Sequence, residues 1–263
     1  MNKNRILAIV IRHLYIWPRS LERWMGSLGW PLLDLLLWGL ASSYFQKRFQ
    51  DSFSLLPAIL GAVILWTIVY RVQQDISVNF LDEAWNKNLI NIFSTPLKVE
   101  EFLLAMIILG LVKLSLTFLS LTVGAFLLYQ FNIFSSFGLL LPILFLNLLL
   151  LGWSFGFLID GLILRFGYDV EDFAWSLVAL ISPFSCVFYP LSSLPFWAQK
   201  VALLLPSTYV FEEARRLLLE ERIIGENLLI SFLLSIFYLF LSLKFFKLMY
   251  EEARKWGRLV KLN

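Results

Sequence analysis

Three ionisable side chains interrupt the apolar stretches of the sequence, and they are the strongest candidates for a chemical role. Asp34, Lys113 and Asp160 each lie inside a long run of apolar residues. A charged side chain at the centre of a bilayer raises the free energy of insertion by about 2.5–3.5 kcal/mol, so each should face protein or water. Lys113 is a candidate counter-ion for Asp34, and Asp160 is a second acid within reach. Two interpretations stay open: a structural ion-pair set, or contacts to a transported molecule.

The residue types needed for most hydrolytic or metal-dependent chemistry are scarce. The sequence has one cysteine, Cys186, and one histidine, His13, so it offers neither a disulfide framework nor a set of zinc ligands. It contains no G-x-x-x-x-G-K-[ST] phosphate loop, no G-x-S-x-G elbow and no H-E-x-x-H helix. We therefore predict no catalytic residues, no metal site and no cofactor in this chain, which should not hydrolyse ATP alone.

The apolar stretches themselves predict a multi-pass membrane protein. Of the 263 residues, 59% are hydrophobic and 16% are charged, and the mean hydropathy is +0.76. A helix needs about 20 mostly apolar residues to cross the hydrocarbon core. Six stretches approach or exceed that length: Leu28–Phe45, Phe53–Tyr70, Phe102–Tyr129, Phe137–Leu164, Phe173–Leu191 and Leu228–Phe246. We predict one all-α transmembrane domain over residues 1–263, with six transmembrane helices.

Positive charge predicts the orientation of these six spans. Both termini then lie on one side, and the segments on that side hold fifteen lysines and arginines against six on the other, with Lys113 inside a span. Because lysine and arginine are enriched in cytoplasmic segments, the termini are predicted to be cytoplasmic. The expected location is the inner or plasma membrane. The net charge of +3 is explained by this distribution, so we predict no nucleic-acid partner.

The N-terminal segment, residues 4–24, predicts an interfacial helix that Pro18 ends. Over residues 4–17, Arg5 and Arg12 fall nearly opposite an apolar face. The apolar face is formed by Ile6, Val10, Leu14 and Trp17. Such a helix is expected to lie in the headgroup layer, with its arginines toward anionic lipid and Trp17 at the interface. On these grounds alone it is a topology anchor.

A short amphipathic helix is also predicted at residues 78–96, between the second and third spans, where Pro96 stops it. Its apolar positions have helical spacing and its rim carries both signs of charge, which suits docking into a groove on a soluble partner. The residues proposed for such a contact are Phe80, Leu81, Asp82, Glu83, Trp85 and Asn86. A plain interfacial loop is the alternative.

The segment before the last span, residues 190–216, predicts a broken, re-entrant helical hairpin. Each proline removes a backbone donor and disfavours helix at the preceding residue. Irregular backbone at membrane depth is tolerated only where protein or a water-filled cavity covers it. The residues proposed here are Pro190, Pro195, Trp197, Pro206, Glu212, Glu213, Arg215 and Arg216. The four charged residues are expected to pair across one turn. The hairpin either caps the exit of a path or forms an ordinary aromatic belt.

This last segment, FYPLSSLPFWAQKVALLLPSTYVFEEARR, resembles the region before the final helix of type-2 ABC exporter permeases. There a P-x-x-x-L-P block precedes a P-[LST]-x-x-x-[DE]-x-x-R block, which is matched here at Pro190, Leu194, Pro195, Pro206, Glu213 and Arg216. The stretch FLDEAWNKNLINIFSTPL likewise resembles the coupling helix of that family, with the turn Thr95-Pro96-Leu97. With the N-terminal segment, the resemblance covers most of the chain.

The resemblance implies an ATP-driven exporter. It makes residues 4–24 a gate at the cytoplasmic entrance and makes residues 78–96 the contact to a separate ABC ATP-binding subunit. Two copies of this chain would enclose the path, two ATP-binding subunits would bind the ATP and Mg²⁺, and membrane lipids would surround the whole. An amphipathic, lipid or lipid-linked cargo would move outward.

The branch and the cargo stay open at this point. The Leu194-Pro195-Phe196-Trp197 block is more like the drug-export branch, whereas a lipid-linked polysaccharide or O-antigen-type permease is the alternative. A membrane-embedded enzyme on a lipid-linked substrate would instead need two of the carboxylates at Asp34, Asp160, Glu212 and Glu213 to converge. A scaffold without transport activity is a third possibility.

Overall fold

The computed structural model describes residues 1–49, 55–220, 223 and 225–257, and over these ranges the chain is helical with no strand. The α-helices are α1 Lys3–Ile16, α2 Leu21–Trp24, α3 Trp30–Phe49, α4 Leu55–Trp85, α5 Leu89–Ser94, α6 Val99–Tyr129, α7 Ile133–Phe137, α8 Leu141–Phe166, α9 Phe173–Ile181, α10 Phe196–Ala202, α11 Pro206–Glu220 and α12 Gly225–Lys255. The prediction of an all-α chain is confirmed for the described residues.

Four helical segments are long and apolar enough, by length and composition, to cross a membrane. Among the described residues they are Leu56–Trp85, Val99–Tyr129, Ile133–Val170 and Gly225–Lys255. Helix α3 and the apolar segment Phe173–Phe184 were predicted as spans but do not belong to this group. Helix α3 carries Asp34 and a basic end, and the other segment is too short. The count of six spans therefore stays a prediction.

Helices α4 and α8 approach each other closely along two glycines of α8. A Cβ added to Gly152 would lie 2.9 Å from the Cβ of Val72, and one added to Gly156 would lie 2.8 Å from the Cβ of Ile76. Small residues four apart let two helix backbones come this near. This glycine pair therefore has a packing role. Helix α12 packs on the same helix α8, so α8 lies at the centre of the bundle.

The N-terminal segment is a helix that ends where Pro18 begins a short 3₁₀ turn, as predicted. Its apolar face packs against the protein. Ile6 and Val10 are buried against Ala105 of α6, and Trp17 is buried with its indole Nε1 donating to the Ser27 hydroxyl at 3.1 Å. The interfacial placement of the segment stays a prediction.

Helix α4 is longer than the sequence predicted. The second span was expected to end at Tyr70 and to be followed by a loop and a separate helix over residues 78–96. Instead α4 continues without a break to Trp85, and only the six residues of α5 follow after a turn in which Lys87 has a φ of 52°. The expected start of the span at Phe53 lies outside the described residues. The polar residues that suggested a loop are instead paired inside the bundle.

The fifth predicted span, Phe173–Leu191, is interrupted. Helix α9 ends at Ile181 and a 3₁₀ turn over Ser182–Phe184 follows, because Pro183 lacks a donor for a continuing helix. Irregular backbone then leads through Cys186, with a φ of 52°, to the short helices α10 and α11. The predicted break into short pieces is confirmed, whereas the re-entry of these pieces into a membrane stays a prediction. We call residues 182–205 the α9–α11 connection.

Candidate functional site

The N-terminal helix is joined to the end of α4 by ion pairs, and we call this contact the α1–α4 junction. Arg12 Nη2 donates to Glu83 Oε2 at 3.0 Å, and His13 Nε2 lies 3.0 Å from Glu83 Oε1. In α2, which follows α1 after a short 3₁₀ turn, Arg23 Nη2 donates to Asp82 Oδ2 at 2.7 Å. Two consecutive acids of α4 thus hold both halves of the N-terminal segment. Movement at the end of α4 would be transmitted to that segment directly.

The buried Glu83 carboxylate receives a further bond from its own side of the junction. Asn88 Nδ2 donates to Glu83 Oε2 at 2.6 Å, which fixes the turn between α4 and α5. At the other end of α1, Arg5 Nη1 donates to the Pro96 carbonyl and lies 3.6 Å from Glu101 Oε2. Arg5 and Arg12 thus both contact the protein while remaining partly exposed, and their orientation toward lipid stays a prediction. An open cleft of about 530 Å³ remains between α1 and α5.

The six residues predicted to contact an ATP-binding subunit divide into two groups. Phe80, Leu81 and Glu83 are buried within the chain and Asp82 is half-buried, so they form the junction and the core beneath it. Trp85 has an exposed fraction of 44% and Asn86 is exposed as well. In this conformation only the last two residues present a surface to a partner. The burial of the others follows from the continuation of α4 into the bundle.

A second segment lies beside this exposed end of α4. Trp85 Nε1 donates to Glu171 Oε2 at 2.9 Å, and the Tyr168 hydroxyl donates to the Ala84 carbonyl at 2.9 Å. Tyr168 and Glu171 belong to the connection between α8 and α9. We call the surface formed by Trp85, Asn86 and Glu171 the α4 tip. Its mixed aromatic and charged character suits a soluble partner.

Arg71 and Asp75, in the middle of α4, form a buried network with Lys113 of α6. Arg71 Nη2 donates to Asp75 Oδ1 at 2.7 Å, and Lys113 Nζ lies 3.6 Å from the same oxygen. Lys113 Nζ also donates to Asn79 Oδ1 at 3.1 Å. The predicted pairing of Lys113 with Asp34 is wrong, because the continuation of α4 brings Asp75 and Asn79 to Lys113 first. The predicted structural ion pair exists, but with another acid.

The same network extends to the turn that precedes α3. Arg71 Nη1 donates to the Gly26 carbonyl at 2.8 Å, and Arg71 Nη2 lies 3.3 Å from the Ser27 hydroxyl. The Thr117 hydroxyl of α6 donates to the Ser27 carbonyl at 2.8 Å. These bonds satisfy polar groups in the irregular turn Met25–Gly29, which would otherwise be buried without partners. The turn is thereby fixed to α4 and α6.

The other two predicted charges have very different surroundings. The Asp34 side chain is exposed on α3, and among the described residues it makes no hydrogen bond and no ion pair. Asp160 is buried in α8, and neither of its oxygens has a hydrogen-bond partner within the part of the chain that the structure describes. Glu212 and Glu213 are paired with arginines elsewhere, in α11. The contacts therefore bring no two of these four acids together.

Charged residues of α11 satisfy the broken backbone of the α9–α11 connection. Arg215 Nη2 donates to the Cys186 carbonyl at 2.7 Å and to the Tyr189 carbonyl at 3.1 Å. Its Nη1 donates at 2.7 Å to Glu212, whose carboxylate also accepts the Leu191 amide at 2.9 Å. Unpaired backbone groups in an apolar environment would destabilise this segment by several kcal/mol. One ion pair thus holds the irregular chain in place.

The expected pairing across one turn of α11 is confirmed. Besides Glu212 and Arg215, Arg216 Nη1 donates to Glu213 Oε2 at 3.0 Å. Glu213 is buried and also accepts from Asn227 Nδ2 at 3.1 Å, which ties α11 to α12. Of the prolines proposed here, Pro190 precedes the 3₁₀ turn Leu191–Ser193 and Pro206 begins α11. Trp197 is exposed and lies next to Phe184.

Helix α4 reaches from the α4 tip to α11, the helix that follows the α9–α11 connection. The 31 residues of α4 span about 46 Å at the rise of an α-helix. Toward its first end, the Trp66 ring packs edge-on against Phe211 of α11, with 5.9 Å between centroids. Toward its last end are Asp82, Glu83 and Trp85. One continuous helix therefore contacts the N-terminal segment, the buried network and α11.

Several functional candidates escaped the sequence analysis. Arg71 and Asp75 were assigned to a loop and Asn79 to the separate helix that follows it, although their spacing of four residues is that of one helix face and could have identified them. His13 was considered only as a metal ligand, and its contact to Glu83 had no local signal. Such long-range pairings depend on how α1 packs on α6, which the spacing within each segment does not specify.

Comparison with known proteins gives one family. The family model described as ABC-2 type transporter matches residues 10–219, which is well over half of the chain. The matched range includes the α1–α4 junction, the buried network and the α9–α11 connection. No curated protein matches the chain.

Proposed function

We propose a transport function on the premise that the chain belongs to the ABC-2 type transporter family, and is thus the transmembrane component of an ABC transporter. Membership implies association with an ABC ATP-binding subunit and a location in a membrane as a multi-pass protein. We further propose that the ATP-binding subunit docks on the α4 tip, and that its movement reaches the N-terminal segment through the α1–α4 junction.

The observation that carries this proposal is the continuity of α4 from an exposed end to the far side of the bundle. Trp85 is exposed at one end, while Glu83, two residues earlier, is buried and bonded to Arg12. Near the other end Trp66 contacts Phe211. A rigid displacement of this helix by a docked ATPase would move the N-terminal segment and the α9–α11 connection together. That is the coupling that a transporter with a separate motor requires.

The complete transporter would contain two copies of this chain and two ATP-binding subunits, which would bind the ATP and Mg²⁺. Helix α3 and the α9 region would complete six spans per copy, with both termini in the cytoplasm of a cell whose inner or plasma membrane holds the protein. The α9–α11 connection with α10 and α11 would form the re-entrant hairpin at the outer face. A second copy would supply the facing wall of the path, since closed two-fold symmetry is the commonest arrangement of homo-oligomers.

We propose outward transport of an amphipathic, lipid or lipid-linked cargo. Exposed aromatic side chains near the α9–α11 connection support such a cargo, since Phe196 and Trp197 present rings rather than charges. The same rings suit the sugar faces of a lipid-linked polysaccharide, which keeps that class as the second candidate. Among the described residues, the ion pairs and hydrogen bonds above bring no two of the candidate carboxylates together for acid–base chemistry. We therefore do not propose an enzyme.

Co-purification tests the docking surface. The double variant Trp85→Ala with Asn86→Arg should reach the membrane in normal amounts but retain less than about a tenth of a co-expressed ATP-binding subunit. Trp197→Ala is the matched control, because Trp197 is also an exposed tryptophan and lies in the α9–α11 connection, toward the other end of α4. Undiminished co-purification of the ATPase with the double variant would show that it docks elsewhere.

A further inference from the structure

We propose that Asp34, together with the aromatic side chains beside it, binds the positively charged group of an organic cation. Amphiphilic cations would then be the cargo class that the transporter prefers. This inference rests on the proposed transport function, and it extends that function by assigning a site and a charge to the cargo.

The position of Asp34 on α3 is the first step. Leu35 is fully buried in the core that α3 shares with α4 and α6, so the neighbouring Asp34 lies about 100° away on the flank of that buried face. Its side chain is exposed. Trp38, one turn further along the same flank, stacks on Phe188 of the α9–α11 connection with 4.5 Å between centroids. Asp34 therefore lies one helical turn before Trp38, whose ring forms a pair with Phe188 of the α9–α11 connection.

Tyr70 of α4 supplies a third ring. Tyr70 is half-buried and packs against the same core cluster as Leu35, the residue next to Asp34. Its hydroxyl accepts a hydrogen bond from Gln74 Nε2 at 2.9 Å. A carboxylate with Trp38 and Tyr70 nearby combines an opposite charge with the negative faces of aromatic rings. This combination favours organic cations over anions of the same shape.

Two buried cations of the chain, Arg71 and Lys113, already have other partners. Arg71 contacts Asp75, Ser27 and the Gly26 carbonyl. Lys113 contacts Asp75 and Asn79. Neither reaches Asp34, which makes no ion pair with any described residue. In the proposed six-span topology α3 crosses hydrocarbon, where an exposed acid needs a compensating partner. No described cation of this copy supplies it, and the aromatic rings indicate an organic one.

Binding of two probes of equal shape and opposite charge tests the proposal. Equilibrium dialysis of the purified full-length chain in detergent would use tetraphenylphosphonium as the cation and tetraphenylborate as the anion. The wild type should bind the cation more tightly than the anion. Asp34→Asn should weaken cation binding by about tenfold or more and leave anion binding unchanged or stronger, because one charged contact is lost. Asp34→Glu, which keeps the charge, should retain the preference for the cation.

Asp169→Asn is the matched control, since it removes an exposed acid from the connection between α8 and α9 and should change neither affinity. Unchanged cation affinity in Asp34→Asn would overturn the proposal. A loss of both affinities together with a shift to smaller particles in size-exclusion chromatography would also overturn it, because the carboxylate would then hold two copies together. The assay contains no ATPase, so its result is independent of the co-purification that tests the transport function.

Discussion

Arg12 donates to Glu83 at 3.0 Å, and this contact helps to join the N-terminal helix to the end of the helix that carries the proposed docking surface. Glu83 is buried and also contacts His13 and Asn88. Arg12 is partly exposed. The contact therefore has one buried and one partly exposed partner, as expected for a joint between two moving elements.

Loss of the Glu83 charge should uncouple the N-terminal segment from ATP hydrolysis. In Glu83→Gln the guanidinium of Arg12 loses its ionic partner, at an expected cost of about 1–3 kcal/mol, so α1 should follow α4 less closely. We expect normal membrane yield and ATPase co-purification, but cargo-stimulated ATPase activity at least fivefold lower in proteoliposomes. Glu22→Gln, which changes an exposed acid of α2, is the control. Unchanged stimulation in Glu83→Gln would remove the junction from the coupling route.

Disruption of the buried network should destabilise the protein. Lys113→Met removes the donor to Asn79 and one of the two cations beside Asp75, and a buried acceptor left without its donor typically lowers the free energy of unfolding by about 1–3 kcal/mol. We expect a clear drop in the thermal melting temperature measured by fluorescence-detected size-exclusion chromatography.

The pair Lys247 and Glu100 provides the comparison for that measurement. Both side chains are about half exposed, and their 2.9 Å contact should contribute less than about 1 kcal/mol. Lys247→Ala should therefore leave the melting temperature nearly unchanged. Equal effects of the two lysine substitutions would mean that the buried network does not stabilise α4 against α6.

Removal of Arg215 should release the α9–α11 connection. In Arg215→Ala the carbonyls of Cys186 and Tyr189 lose their donor. Cys186 is the single cysteine of the sequence and is buried, so it reports the opening of this segment. A maleimide reagent should label the wild type slowly and the variant at least tenfold faster. Lys200→Ala, an exposed position in α10, should label like the wild type, and so would Arg215→Ala if the arginine did not hold the connection.

The glycine pair of α8 should not tolerate a methyl group. Gly156→Ala places a Cβ 2.8 Å from the Ile76 Cβ, so α4 and α8 must separate, at an expected cost of about 1–3 kcal/mol. Gly225→Ala meets nothing within 4 Å at the start of α12 and should be neutral or slightly stabilising. Thermal melting of the two variants in the same detergent compares them. Equal melting temperatures would contradict the close packing.

Local patterns predicted the elements well where a proline or a helical period determines them. The helix before Pro18, the short pieces after Pro190 and Pro195 and the pairs within α11 all follow from residues a few positions apart. The sequence failed where tertiary packing reversed a local preference. Polar residues from Arg71 to Ser77 looked like a loop, yet they continue α4 because Lys113 and the turn before α3 provide partners for Asp75 and Arg71.

The candidate site divides in the same way. The exposed part of the proposed docking segment, Trp85 and Asn86, was included in the prediction, but the burial of Phe80, Leu81 and Glu83 was not. A helical period shows that two faces differ, and it does not show which face the N-terminal helix will cover. Likewise the acids Asp34 and Asp160 were identified as unusual, whereas the partner of Lys113 depended on the length of α4.

Photocrosslinking at the α4 tip tests the central claim most directly. A chain with p-benzoylphenylalanine in place of Trp85 would be irradiated in native membranes, and the crosslinked partner would be identified by mass spectrometry. The same substitution at Trp197, an exposed tryptophan of the α9–α11 connection, is the reference. We predict that position 85 crosslinks to an ABC ATP-binding subunit, that position 197 does so far less, and that the Trp85 product increases when ATP hydrolysis is blocked. Crosslinks from position 85 to lipid alone, with the ATPase present in the same complex, would contradict the assignment of α4 as the helix driven by the motor.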